Sequence, residues 1–421
     1  MSSLLEQMRA KDKTGAFERT PTDISYPTGF HTLDYKNGYW LESFDENSNV
    51  IERHKSIGIV AGTFNAIIGK SGVAKTTGAV QMACNIIRPF KSSFIVHYDA
   101  ENAFSYTRIH GISGMPMYEL KSKYVLKRSY NVIEDIHENI MDIAKTKKAG
   151  GKEFMYNTGI KDEFGDDIIL YEPTVVIIDS LPSLALKNTV DDAEMQTQAY
   201  GMQKARAFSE FCGKLVSVCK EMNIIVLYIN HIKKKIAINP FAKEQAQQIY
   251  LKQDETLPLG EAGIYYANNI FKFISGGKYT TEKHGFDGFL VKCELIKSRT
   301  NKSGQIAELV YDQAIGFDPV RSLLNLAENM KMTTGNNPNR KFLGHPDVRY
   351  SSLKFTQQFQ ENPELRYALL DTVLPILEGD LSKQSEIDNT PISEKDIMNA
   401  LAKSAERHDA SEEEAEDKII A

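Results

Sequence analysis

The sequence predicts an α/β fold with a mostly parallel central sheet, an N-terminal arm and a small helical C-terminal domain. Short apolar runs of strand length (Asn65–Ile68, Ser93–Tyr98, Thr174–Ile178, Ile224–Ile229) alternate with longer amphipathic stretches (Thr77–Ile87, Tyr130–Ala144, Ala205–Met222). The apolar runs are continuous, which marks strands covered on both faces by helices. Several of them end in acids or amides, at the carboxyl ends where open sheets of this kind bind ligands.

Along the chain, residues 1–60 read as an arm and a lead-in segment, with a strand expected over Ser56–Val60. The main α/β core is expected over 61–330. Phe289–Lys297 and Ile306–Tyr311 flank the turn cluster Asn301–Gly304 and read as a hairpin that closes the sheet. Gly150–Asp167 is polar and glycine-rich and reads as an inserted surface loop. Thr333–Arg340, with Gly335, Asn336, Asn337 and Pro338, reads as a domain linker. A small helical domain is expected over 341–403 and an acidic disordered tail over 404–421. No repeat of the ~20–50-residue kind is visible.

Composition sets bounds on function. The 421 residues suggest two or three domains, and 42% apolar with 25% charged residues excludes a fibrous or fully disordered chain. No apolar run approaches the ~18 residues of a membrane span. Met1–Gly15 is polar and mixed in charge, so a secretory signal is not expected and a cytoplasmic location is. The formal charge is −6. Ser404–Ala421 holds seven acids against two bases, a net of −5, so the body is nearly neutral. Overall charge therefore does not indicate nucleic-acid binding, although a local basic strip remains compatible with it. Cys84, Cys212, Cys219 and Cys293 have no paired spacing and read as reduced, buried thiols.

The most informative segment is Gly69-Lys70-Ser71-Gly72-Val73-Ala74-Lys75-Thr76-Thr77. It follows a strand-like run and opens a helix, the context a phosphate-binding loop needs. The glycines let the backbone wind so that N–H groups face phosphate oxygens, and the helix N-terminus adds positive potential. Lys75 is suited to reach the β- and γ-phosphates of ATP, and the Thr76 hydroxyl to ligate Mg²⁺. Ala74 stands where the usual pattern, GxxxxGK[ST], has glycine; if that position needs a positive φ, its Cβ costs on the order of 1 kcal/mol.

Three further strand ends fit the same site. Thr174–Ile178 leads into Asp179 and Ser180, and an acid there holds the metal through water. Phe94–Tyr98 leads into Asp99 and Glu101; Glu101 is suited to orient and deprotonate an attacking water, and Asp99 reads as structural. Ile224–Ile229 leads into Asn230 and His231, an imidazole placed to sense a γ-phosphate or simply to satisfy the local structure.

In this order the motifs resemble the RecA-like recombinases, including the UvsX-type recombinases of large phages. The resemblance runs from about Thr28 to Pro319. It rests on Thr28-Gly29-Phe30 with Leu33-Asp34, on Asp99-Ala100-Glu101, on Val176–Leu181, on Ile229–Ile236 and on Ile296–Thr300. The histidine at 231, where the bacterial members carry glutamine, is the UvsX-type feature. What the resemblance implies is a RecA-like core that binds ATP and Mg²⁺, forms a homo-oligomeric helical filament on single-stranded DNA and pairs it with double-stranded DNA. Glu101 is then the catalytic glutamate, His231 the γ-phosphate sensor and Tyr106 the aromatic stacked on adenine. Lys233, Lys234 and Lys235 are the basic residues of the second DNA-binding loop, and Ile236 its apolar wedge. Lys297 and Arg299 reach the ATP of the neighbouring protomer, like an arginine finger. Mediator and single-strand-binding proteins are implied partners, and a membrane is not.

Elementary chemistry agrees with this. Three lysines in a row after a strand form a cationic patch on a nearly neutral body, and an apolar wedge opens a base stack. Lys297 and Arg299, two apart on a strand, face the same side. The first DNA loop would fall within Lys187–Gly201, which is acidic (Asp191, Asp192, Glu194) and yields no assignment. The acidic tail reads either as a solubilising end or as a DNA mimic. Two other readings stay open: a hexameric RecA-fold DNA helicase motor, and a non-hydrolysing DNA-binding scaffold protein for which Ala74 is the only sequence support.

Overall fold

The computed structural model describes residues 3–11, 22–128, 131–187, 198–234, 251, 255–258 and 262–382. The chain divides into two units, Met1–Ser382 and Lys383–Ala421, and the second lies wholly outside the described residues. The first is built on a sheet of nine described strands: β1 (Phe64–Gly69), β2 (Ile95–Asp99), β3 (Tyr124–Lys127), β4 (Thr174–Asp179), β5 (Ile224–His231), β6 (Asn269–Tyr279), β7 (Gly288–Lys297), β8 (Gln305–Asp312) and β9 (Gly316–Asp318). Their spatial order is β9-β8-β7-β6-β1-β5-β4-β2-β3. The run from β6 to β3 is parallel throughout, and β7, β8 and β9 extend it as antiparallel neighbours.

The continuous apolar runs become two-sided strands. On one face Ile67, Ile95, Val175, Ile177, Ile225 and Leu227 pack with the helix α1 (Lys75–Ile87) through Val80, Ala83 and Ile87. The alternate residues Ala66, Ile68, Val96, Val176, Ile178 and Val226 pack on the other face. There they meet α3 (Ile133–Gly150) and α4 (Gln198–Glu221) through Ile136, Ile140, Phe208, Phe211 and Leu215; α2 (Tyr106–Ser113) lies on the α1 side. Each buried Ile, Leu or Phe contributes roughly 1.5–3 kcal/mol, so the two layers hold the strand ends rigidly.

Several sequence expectations are corrected. The lead-in is more ordered than an arm: Tyr39–Phe44 and Val50–Ser56 pair as a hairpin, and the strand expected over Ser56–Val60 splits into the end of that hairpin and a two-residue strand Ile59–Val60. Gly150–Asp167 is not a loop. Met155–Lys161 and Asp167–Tyr171 pair as a hairpin, because Tyr156 and Ile160 reach the core on one side and Ile168 is buried. Thr333–Arg340 is not a linker, since Thr333–Thr334 and Arg340–Phe342 are paired strands joined by a turn at Gly335–Pro338. The following region is mixed rather than helical. A three-stranded sheet completed by His345–Tyr350 packs with α6 (Pro319–Asn329) and α7 (Pro363–Gly379) around Phe342, Tyr350, Phe355 and Leu369. Residues 383–403 and the acidic tail lie outside the described residues.

The Thr28–Asp34 segment is a local lock. Asp34, buried ahead of the core, accepts from the Thr28 hydroxyl at 2.6 Å and from the Thr28 and Gly29 N–H groups at 3.0–3.1 Å. Burial pushes the Asp34 carboxyl up to about 7, against those three hydrogen bonds. A carboxyl raised on folding binds its proton more tightly in the native state, so this stabilisation is full below pH ~4 and is lost as pH rises through about 7. The stability difference between Asp34→Asn and the unaltered chain should therefore shift in favour of the variant between those values; a urea-unfolding difference independent of pH would contradict it.

Candidate active site

β1 ends at Gly69 and α1 begins at Lys75, so the loop between them turns at the carboxyl edge of the sheet. A Cβ at Gly69 would stand 2.5 Å from the Phe273 carbonyl oxygen, so close approach of β6 demands glycine there. Gly72 is different: nothing lies within 4 Å, and its φ of +79° alone sets the requirement. Ala74 adopts φ 61°, ψ 28°, in the left-handed region, with its Cβ strained as the sequence suggested for such a geometry. No side chain caps α1, leaving its first N–H groups for an anion.

Lys75 lies buried beneath this loop. Its Nζ donates to the Lys70 carbonyl at 2.7 Å and lies 3.3 Å from His231 Nδ1. Burial lowers the ammonium to about 8, against the pull of Asp179 and Glu101. His231 ends β5, opposite Gly69 in the parallel register, and its Nε2 sits 3.0 Å from Glu101 Oε1. The same Glu101 oxygen accepts from the Ser180 hydroxyl at 2.8 Å. Burial would raise Glu101, but the bonds from Ser180 and His231 and the charges of His231 and Lys75 outweigh it and hold the carboxyl below the usual glutamate range. Glu101 thus stays ionised, 39% exposed at the open side of the site, where an acceptor for a water molecule is wanted.

Asp179 ends β4 directly opposite Asp99 of β2. It is 1% exposed, it faces the Thr76 hydroxyl, and both of its carboxylate oxygens lack a hydrogen-bond partner of ordinary geometry. Burial, with the Glu101 and Asp99 charges, pushes it up to about 7, although Thr76 and Lys75 pull it down. Orphaned buried oxygens beside a threonine hydroxyl suit a hydrated Mg²⁺ bound to a nucleotide, with Thr76 and Asp179 as its protein partners. Asp99 accepts from the Ala103 and Phe104 N–H groups at 3.2 and 2.9 Å, which fixes its carboxylate.

The site is wired to the segment that follows it. Asn230 Oδ1 accepts the His231 N–H at 2.8 Å, while its amide donates to the Pro258 carbonyl at 2.9 Å. Lys233–Lys234 pairs with Glu255–Thr256, closing the base of the intervening segment. Lys233 is exposed; Lys235 and Ile236 lie outside the described residues, as do 188–197 of the acidic stretch. Tyr106 opens α2, partly exposed, with its hydroxyl 3.3 Å from the Tyr124 carbonyl. Lys297 and Arg299 do not join the cluster. Lys297 donates to the Ile264 and Tyr265 carbonyls at 2.6 and 3.0 Å, and Arg299 to Tyr265 at 3.0 Å, at the end of α5 (Ala262–Tyr266). The sequence reading missed the orienting bond from Ser180, because only register places it beside Glu101. It also missed the tie from Asn230 to Pro258, which crosses 28 residues.

No family model matches the chain. It is 28% identical to the RecA protein of Thermus aquaticus over 156 residues, 36% of this chain and 41% of that protein. With the RecA protein of Aquifex aeolicus it shares 24% over 315 residues, 73% of this chain and 76% of the relative. The RecA protein of Francisella philomiragia shares 26% over 212 residues, 48% and 53% of the two chains. This similarity supports a RecA-like family. The chain spans about two fifths of the Thermus protein and three quarters of the Aquifex aeolicus one. The mostly parallel sheet of nine described strands fits a RecA-like core. No described helix is long and apolar enough to cross a membrane. The described cysteines are free and buried.

Relief of the strain at Ala74 is measurable. Glycine at this position removes a Cβ penalty of about 1–2 kcal/mol and adds back roughly 0.5–1 kcal/mol of unfolded-state entropy. Ala74→Gly should therefore raise unfolding stability in urea by ~0.5–1 kcal/mol; a loss of stability would sink the strain argument.

Proposed function

We propose that the protein is an ATP-dependent DNA recombinase of UvsX type, which assembles as a helical filament on single-stranded DNA and exchanges strands with a homologous duplex. The observation that carries this reading is the junction at β5. His231 contacts both Lys75 and Glu101, and two residues later the chain enters the lysine-bearing segment whose base is closed by Lys233–Thr256 pairing.

ATP lies along Gly69–Thr77, its phosphates met by loop N–H groups and Lys75 and its adenine by Tyr106. Thr76 and Asp179 would hold Mg²⁺, which would supply neutralisation of the charge developing on the phosphates. Glu101, kept ionised and aimed by Ser180 and His231, orients the attacking water. A γ-phosphate competes with Glu101 for the His231 imidazole, and Asn230 passes the resulting shift to Pro258, at the far side of the DNA segment. Lys233, Lys234 and Lys235 then contact backbone phosphates, and Ile236 separates bases. Sequence is read by base pairing, so phosphate contacts suffice on the protein side. Lys297 and Arg299 leave the α5 carbonyls to reach the ATP of an adjoining protomer, which makes filament assembly and hydrolysis interdependent.

Two substitutions test the reading. Lys75→Ala should abolish ATP hydrolysis, with turnover falling at least ~1000-fold; unchanged turnover would refute the phosphate site. Arg299→Ala should bind ATP as an isolated chain yet lose stimulation of hydrolysis by single-stranded DNA, and normal stimulation would refute the role across the subunit boundary. Electron microscopy of the unaltered protein with ATP and DNA should show open helical filaments, whereas closed six-membered rings would identify a helicase motor.

A further inference from the structure

Behind the loop between β1 and α1, three buried polar side chains converge. His97 and Asp99 stand two apart on β2 and so share the α1 face of the sheet, and Asp179 pairs opposite Asp99 on β4. One ligand atom from each lies within 4.8 Å of the other two. His97 and Asp99 are 0% exposed and Asp179 is 1% exposed. His97 Nε2 has no hydrogen-bond partner, and both Asp179 oxygens lack one of ordinary geometry, with the Thr76 hydroxyl facing them.

We propose that His97, Asp99 and Asp179 form a binding site for a first-row transition dication, Zn²⁺ in the first instance, which fills in the nucleotide-free protein and shares Asp179 with the proposed magnesium site. The ligand chemistry selects the ion. One imidazole and two carboxylates suit Zn²⁺ or Co²⁺, whereas Mg²⁺ and Ca²⁺ take oxygen donors. Three protein ligands leave a fourth position open, the pattern of a zinc site that carries water or an exogenous oxygen.

The surrounding shell supports the ligands. The Tyr124 hydroxyl lies 2.9 Å from His97 Nδ1. When Nδ1–H donates to that oxygen, Nε2 presents its lone pair to the ion, the usual arrangement behind a metal-bound histidine. Asp99 is oriented by the Ala103 and Phe104 N–H groups, one on each oxygen, and each oxygen keeps a second lone pair. Bond lengths of about 2.0–2.2 Å put tetrahedral ligands roughly 3.4 Å apart, so the side chains draw in by about 1 Å on binding. The charge balance runs the same way: two buried carboxylates share this pocket, Lys75 compensates Asp179 only in part, and a dication completes the balance.

Titration of the nucleotide-free full-length protein with Co²⁺ tests the proposal. One equivalent should bind with the intense visible bands of a four- or five-coordinate ion, and Zn²⁺ should displace it. His97→Gln should weaken binding at least ~100-fold and Tyr124→Phe about 10-fold, with far-UV circular dichroism unchanged. Zinc-edge X-ray absorption on the unaltered protein gives a readout free of any variant, and should show one nitrogen donor among oxygens at about 2.0–2.1 Å. A Co²⁺ spectrum that stays that of the hydrated ion, or a folded His97→Gln protein that binds as tightly as the parent, would overturn the assignment.

Discussion

In a parallel sheet, a strand cannot slip by one residue without turning its side chains to the opposite face, and this constraint places the whole site. β1, β5, β4 and β2 lie side by side with His231 opposite Gly69 and Asp179 opposite Asp99. The apolar residues below those positions are held between α1 on one face and α3 and α4 on the other. Each alternate residue is sealed in a different layer, so the register carries the burial energy of both. Polar residues as far apart in sequence as Lys75 and His231, 156 positions, therefore meet at one edge, with contacts of about 3 Å.

Electrostatics at that edge is uneven. Glu101 and Asp179 act on Lys75, and the three groups respond according to burial. Glu101 is partly open to solvent and bonded by Ser180 and His231, so it holds its charge. Asp179 is sealed with its oxygens unpaired, so burial drives it towards the protonated form. Lys75 moves in the opposite direction for the same reason. A polyanion arriving with its cation reverses both shifts, since the phosphates favour the charged ammonium and the metal favours the carboxylate. On the proposed function, a metal–nucleotide pair would relieve the burial of Lys75 and of Asp179 together.

The central sheet was legible because its strands are buried on both sides, and continuous runs such as Val175–Ile178 have few other readings. The strand–loop–helix turn after β1 was legible for a different reason: close approach at Gly69 and a positive φ at Gly72 restrict residue choice there. The hairpin at Met155–Tyr171 was not legible. Its strands are largely solvated and polar, with Thr158, Gly159 and Lys161 inside a strand, and its order comes from Tyr156 and Ile160 meeting a core assembled elsewhere. The small sheet after α6 was hidden likewise, because Gly335–Pro338 is a turn whether it joins domains or joins two short strands. The arrangement around His97 lies beyond sequence reading altogether. A lone histidine in an apolar strand says nothing until Asp179 is seen beside it.

The positions of Lys297 and Arg299 follow from the same economy of placement. Their carbonyl partners, Ile264 and Tyr265, belong to α5, which begins at residue 262, just beyond the segment closed at its base by Lys233–Thr256. Carbonyls at a helix end attract cations through the helix dipole and their unsatisfied lone pairs. Burial lowers Lys297 to about 8 and the neighbouring Arg299 adds to the effect, so the pair is held under mutual repulsion. Such a pair is readily surrendered to a stronger anion. A displacement of α5 at the end of the lysine-bearing segment reaches these two cations directly, while His231 at the start of that segment reaches Lys75 and Glu101. Both margins of one segment thus touch charged groups suited to phosphate, and on the proposed function this is how nucleotide and DNA would act on each other.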